Sequence, residues 1–329
     1  MRDVLVIMYP VVDITVQIDD MLPIEAGQLK PMHRVAQEPG GGANIIFTGT
    51  RLGLDIVHVG AVGQDSHGDF LKTKYSEEGT DNSYIQAIPG FETQVVICLN
   101  DNKGNHAYIS NLKGRRVDIP DDLIEKCRAI FVSGYMLGNL DVSEGIVQLI
   151  KRTEHSGKTI FFDPGPTFEQ FQNDTLEIVL AATDYLILNH IEAEGISGAF
   201  EPEKAAPLLA QRTRGIVVIK SGSKGCYMYQ NGVGRWYNGF SVPVIDTVGA
   251  GDTFLGAFMR GVLDGWDIGT TCLFANAAGA AKVQKQGSGT QVPTIEEIHK
   301  ILNKNRLEVS KEQLLDRTTK LVLKNKGEN

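Results

Sequence analysis

Residues 246 to 258 read DTVGAGDTFLGAF. Three small residues, Gly249, Ala250 and Gly251, precede Asp252, and an apolar pattern that suits a helix follows. An Asp at a helix start is ordinary, because it favours the N-cap and complements the positive end of the helix dipole. The Gly-Ala-Gly run carries more information. Small residues let backbone N–H groups come close to an anion at a helix N-terminus, where the dipole also favours negative charge. A carboxylate in the first turn would repel a permanently bound phosphate. Beside a phosphoryl group in transit it makes sense, because it can take the proton of the attacking hydroxyl.

Two further motifs lie outside this stretch. Near the N-terminus, GGGAN at 40 to 44 is followed by Gly53 and by Gly63. In the middle of the chain, YLILNHIEAEG places Asn189 at the end of a short apolar run and Glu192 in the polar stretch after it. Alone, Glu192 would read as a solvated helix residue and the Gly cluster as a turn that needs positive φ.

Together these residues resemble the ribokinase-like (PfkB) carbohydrate kinases. Asp246, Thr247, Gly249, Ala250, Gly251 and Asp252 match that family's C-terminal signature position by position, and Gly256, Ala257 and Phe258 continue it. GGGAN with Gly53 and Gly63 matches its first signature, with Ile46 standing where a small residue is usual. Asn189 and Glu192 match its NxxE motif. The resemblance covers residues 1 to about 303.

What the resemblance implies is an ATP-dependent sugar kinase. Asp252 would be the general base, with the N–H groups of Gly249, Ala250 and Gly251 as the anion hole. Asp13, Gly41, Gly42 and Asn44 match positions that hold sugar hydroxyls, although Asp13 also reads as a solvated strand end. On the ATP side stand Asn189, Lys220, Gly222 and Asn276, the last near adenine. Glu192 would act on Mg2+, largely through water, which suits a hard cation that keeps several waters. The resemblance also allows a potassium ion, with Asp246, Val248, Lys285 and Gly287 matching its ligand positions.

Composition agrees. The 329 residues are 42% apolar, ample for a buried core, and suit one or two domains. Lys and Arg total 32 against 40 Asp and Glu, a net charge of −8, which disfavours partners such as nucleic acid or an anionic membrane. Cys98, Cys127, Cys226 and Cys272 form no CxxC pair, so neither a zinc site nor a disulfide framework is suggested. No apolar run of membrane-spanning length appears, and VLVIMYPVV, flanked by Asp3 and Asp13, reads as a first buried strand. The expected location is cytoplasmic.

Strand-like runs at 4–8, 55–60, 129–134, 159–163, 185–189 and 215–220 alternate with helical patterns such as 142–157 and 271–284. That alternation predicts an α/β fold with a mostly parallel sheet covered by helices on both faces. Residues 11–37 and 91–117 break it with alternating polarity, and Lys103-Gly104 reads as a hairpin turn. The resemblance implies that these segments form a small β lid over the sugar, excluding water and serving in a homodimer. The kinase domain is expected over 1–306. A C-terminal helical extension over 307–329 would pack on the body or make an oligomer contact.

The expected substrate is a small sugar, a free pentose or hexose. DPGP at 163–166 lacks the Arg of many fructokinase-like members. A nucleoside or vitamin kinase, a 2-keto-3-deoxygluconate kinase and a catalytically silent sugar-binding relative stay open, the last disfavoured by the intact Asp252. No GxGxxG follows the first strand and no Walker motif occurs, which sets aside a dehydrogenase and a P-loop NTPase.

Overall fold

The computed structural model describes residues 1–20, 29–103, 106–111, 114, 116–138, 140–153, 156–171 and 174–305. The expected extension 307–329 and the Gly104 half of the hairpin turn lie outside them.

The chain opens with β1 (Arg2–Ile7), β2 (Val11–Ile18), β3 (Met32–Gly40), α1 (Ala43–Arg51) and β4 (Ile56–Gly63). Then come α2 (Ser66–Glu77), β5 (Ile85–Ile88), β6 (Gln94–Asp101), β7 (His106–Ser110), α3 (Asp121–Lys126) and β8 (Cys127–Ser133). The central part holds α4 (Leu140–Thr153), β9 (Thr159–Asp163), α5 (Thr175–Ala182), β10 (Tyr185–Asn189), α6 (His190–Ser197) and α7 (Pro202–Ala210). Last are β11 (Ile216–Lys220), β12 (Gly225–Gln230), β13 (Val233–Asn238), α8 (Ala250–Leu263), α9 (Ile268–Lys282) and α10 (Ile295–Lys304).

Nine strands form one sheet in the order β13-β12-β11-β10-β9-β8-β1-β4-β5. All its pairs are parallel except β11 with β12 and β12 with β13. Parallel strands covered on both faces read as continuous apolar runs, and β1 shows why. Its Val4 and Val6 enter one core with Phe161, Ile187 and Val218, while Leu5 and Ile7 enter the other with Ile130, Phe162 and Leu188. Burying each such side chain contributes about 1.5–3 kcal/mol. Phe258 of α8, fully buried in the first core, anchors that helix to the sheet. Truncating it to Ala would cost about 3–5 kcal/mol.

Small residues let the helices on that face approach closely. A Cβ on Gly256 of α8 would stand 2.8 Å from the Ile45 carbonyl of α1, and one on Gly261 would stand 2.7 Å from Thr271 of α9. The motif glycine Gly256 is therefore a packing residue that brings the two signatures together.

The four remaining strands form a second sheet, β3-β2-β6-β7. Its β2 pairs antiparallel with β3 and parallel with β6, and β6 pairs antiparallel with β7 as the hairpin reading expected. The lid is continuous with the body at Gly40, where a Cβ would fall on the Asp13 carboxylate, 1.9 Å from Oδ1. The four cysteines are all free, and no described helix is long and apolar enough to cross a membrane.

Candidate active site

Three adjacent strands, β9, β10 and β11, end in Asp163, Asn189 and Lys220, and Asn189 pairs in register with Lys220. Ligands of open α/β sheets gather at such carboxyl ends. Lys220 Nζ donates to Asp163 Oδ2 at 2.8 Å. A Cβ on Gly251 would lie 3.4 Å from the same ammonium, so Lys220 stands at the N-terminus of α8. Burial works against the Lys220 charge, but Asp163, Glu192 and Asp252 hold it above the ordinary lysine value.

Asn189 caps α6, its side chain accepting from the N–H groups of Ile191 and Glu192. Glu192 returns the bond, with Oε2 accepting from Asn189 N at 2.7 Å. This capping box fixes the NxxE spacing and holds a nearly buried carboxyl beside the strand ends. Burial, and then Asp163, push the Glu192 carboxyl well above its usual range, with Lys220 opposing.

Helix α8 starts behind Gly249, whose φ of +75° favours glycine. A Cβ there would also meet the Asn44 side chain at 2.8 Å. Of the three amides expected in the anion hole, that of Ala250 donates to Thr247 O at 3.2 Å in this state. Asp252 lies in the first turn, where burial lifts its carboxyl to about 6; Lys220 lowers it, Asp163 raises it, and Asn44 and Lys282 lower it.

Asn44, at the start of α1, joins the two signatures. Its Nδ2 donates to Asp252 Oδ2 at 3.1 Å, and its Oδ1 accepts from Gly289 N at 2.7 Å. Next to Gly289, Ser288 Oγ donates to Asp13 Oδ2 at 3.0 Å. Asp13 is lifted to about 6 by burial, against the Ser288 bond and with help from Asp252. Gly41 and Gly42 form the turn between β3 and α1, and a Cβ on Gly42 would strike Met8 Sδ at 2.4 Å.

The other expected residues are placed as follows. Gly222 is exposed with φ of +57° just after β11. Asn276 Nδ2 donates to the carbonyls of Tyr237 at 2.9 Å and Asn238 at 3.2 Å, tying α9 to the end of β13. Asp246 accepts from Val248 N at 3.0 Å and Gly287 N at 2.8 Å. Lys285 sends its ammonium away to Glu297 at 3.0 Å. The carbonyls of Lys285 and Gly287 receive the ammonium of Lys282.

Sequence reasoning missed Asp163, Ser288, Lys282 and Tyr135. The strand-end rule alone would have found Asp163, the last residue of an apolar TIFFD run. Tyr135 is half exposed, and its phenol is pushed up by burial and then by the charges of Asp252, Asp163, Glu192 and Asp13. Nothing local marks Ser288 or Lys282. A cleft of about 480 Å³ lined by Lys158, Asp184 and Arg214 lies at the opposite ends of β9, β10 and β11, away from these groups.

A buried carboxyl at a helix start, a buried ammonium, and an Asp and an Asn beside the second sheet are groups that a phosphoryl-transfer site requires. The description that matches this chain, pfkB family carbohydrate kinase, does so over residues 6–295. The chain belongs to that family. It is similar to a ribokinase of Haemophilus influenzae, 28% identical over 265 residues, covering 78% of this chain and 85% of the relative. It is 27% identical to a nucleoside kinase of Methanothermobacter thermautotrophicus, covering 89% and 93%. The crystal structure of a Thermotoga maritima ribokinase superposes with a TM-score of 0.79 at 25% identity, covering 92% of this chain and all of that one. The fold is thus ribokinase-like, and the pfkB protein is an ATP-dependent phosphotransferase acting on a sugar or nucleoside.

Proposed function

We propose that this pfkB kinase transfers the γ-phosphoryl group of Mg-ATP to a hydroxyl of a free pentose or hexose, with Asp252 as general base. The observation that carries the reading is the bridge from Asp252 through Asn44 to Gly289, beside the Ser288–Asp13 bond. It links Asp252 to the loop that carries Ser288 and so to Asp13, a residue far away in sequence.

Asp13 and Asn44 accept from and donate to vicinal hydroxyls, and they penalise analogues that leave them unpaired. Asp252 accepts the proton of the attacking hydroxyl. The amides at the start of α8, with the Lys220 ammonium, balance the charge on the equatorial oxygens. Mg-ATP, when bound, supplies the transferable phosphoryl group and the metal that neutralises its charge. The residues present fit it: the missing Cβ of Gly251 opens the helix end to Lys220, and Glu192 offers a buried carboxyl whose charge acts on Lys220. Gly222 and Asn276 border the nucleotide side.

The inner lid face supports a small polar acceptor. Thr15, Gln17, Arg34, Glu38 and Asn100 line it opposite Asp246, Gln286 and Gly287. Tyr108, 61% exposed and paired with Cys98 on β6, favours a second reading as a nucleoside kinase, because an aromatic ring can stack on a base. Val35 and Ile109, exposed on the face opposite Asp13, suit a homodimer through the lid.

A coupled ADP-release assay with Mg-ATP over pentoses, hexoses, sugar acids and nucleosides tests this. Turnover of a free sugar that vanishes in Asp252→Asn supports the reading. Turnover of nucleosides alone would replace it with the second.

A further inference from the structure

Lys282 is the last residue of α9 and is fully buried. Lysines are almost never buried without matched charge. Its Nζ donates to the Gly287 carbonyl at 2.7 Å and to the Lys285 carbonyl at 3.4 Å. These are two of the groups expected to hold a potassium ion. Asp246, a third, spans the gap between the two loops: Oδ1 takes Val248 N and Oδ2 takes Gly287 N. The backbone N–H groups of Ile245 and Asp246 add to this seam by donating to Val283 O at 2.7 and 3.1 Å. Burial, joined by the charge of Lys285, pushes the Lys282 ammonium below the ordinary lysine value against the pull of Asp246 and Asp252.

The residues present therefore do not fit an added ion. An ammonium and a potassium ion would compete for the same carbonyl lone pairs. Placed about 4 Å apart, the two cations would repel enough to weaken ion binding about a thousandfold. The electrostatic need is the same in either case: a positive charge behind the turn that leads through Val248 and Gly249 into α8.

We infer that the Lys282 ammonium is the built-in monovalent cation of this site, holding the 285–287 loop whose Gly287 N–H binds Asp246, so that the protein works without potassium. Lys282 is a positioning residue, since its contacts are to backbone carbonyls behind the anion hole. The inference rests on the kinase reading for its effect on turnover, but ion binding tests it independently.

The experiment has two arms. Crystals of the wild type and of Lys282→Ala are soaked in rubidium, whose anomalous signal locates the ion. The expected result is no ion at the Lys285 and Gly287 carbonyls of the wild type and an ion there in the variant. In the second arm, thermal melting and ADP release are followed in potassium, sodium or choline chloride at equal ionic strength. The wild type is expected to be indifferent to the cation. Lys282→Ala should lose about 10-fold to 100-fold in kcat, with melting temperature and kcat both recovering in potassium more than in sodium. Rubidium at these carbonyls in the wild type, potassium activation of the wild type, or undiminished kcat of Lys282→Ala in choline would overturn the inference. Should the variant not fold, the wild-type arms decide alone. If no acceptor is turned over, the kinase reading fails and the rubidium maps still judge the ion site.

Discussion

Asn44 Nδ2 lies 3.1 Å from Asp252 Oδ2, so the first signature of the chain hydrogen-bonds directly to the proposed base in the second. The same side chain accepts from Gly289 N at 2.7 Å. One amide thereby fixes the carboxylate orientation and pins the loop that carries Ser288. Asn44→Ala removes both bonds and leaves a buried N–H without a partner, a loss of about 1–3 kcal/mol. Sugar KM should rise and kcat fall while ATP KM holds; steady-state kinetics with each substrate varied separates these effects.

Replacing the base itself tests the chemistry. Asp252→Asn should lower kcat by about 100-fold to 10,000-fold, the usual contribution of a positioned base. ATP affinity, measured by calorimetry, should change little. Preserved kcat would sink the assignment.

The pH dependence follows from burial. Asp252 and Asp13 are both lifted to about 6, so each is largely protonated at pH 5 and largely ionised at pH 7. A base works only when ionised, so kcat/KM should rise with pH through about 6 and level off above it. The two carboxyls interact, and the limb belongs to the pair. In Asp13→Asn the limb should persist with a lower midpoint, since a neighbouring negative charge is gone. A profile flat from pH 5 to 8 would exclude a base of this kind.

Stability should run opposite to activity. A carboxyl whose folded value of about 6 exceeds its ordinary 3.8 binds its proton more tightly when folded. The stabilisation is fully present below about pH 4 and is lost as pH rises through 6. At pH 8 the wild type therefore carries an unfavourable buried charge that Asp252→Asn lacks. The variant should be more stable by about 1–3 kcal/mol at pH 8, and the gain should disappear at pH 4. Denaturant melts at the two pH values check this.

Gly249 combines positive φ with close approach to Asn44. Gly249→Ala should cost about 1–3 kcal/mol in backbone strain and displace either the helix start or Asn44. Lowered kcat with a lowered melting temperature is the expected pair of results. An unchanged kcat would show that the amides of this turn do not act on the transferring group.

The sequence by itself determined six of the nine strands of the large sheet, several of the helices and the motifs at the two ends of the proposed site, but not β5, β12, β13 or the strand order. These rest on local rules: apolar runs such as TIFFD and YLILN bury on both faces, GAGD opens a helix, and Asn189 with Glu192 closes a capping box within one helical turn. Each can be read within a few residues because its physics acts within a few residues. The lid strands were also legible from their alternating polarity, but not their pairing order. Only the tertiary structure decided the rest. It put Ser288 on Asp13, Gly289 on Asn44 and Lys220 on Asp163, contacts that span 275, 245 and 57 residues. It also turned Lys282 inward onto the Gly287 carbonyl, where the family resemblance had allowed a potassium ion. A lysine at a helix end reads as a solvated charge until the packing around it removes the water, and that packing comes from parts of the chain that no local pattern connects.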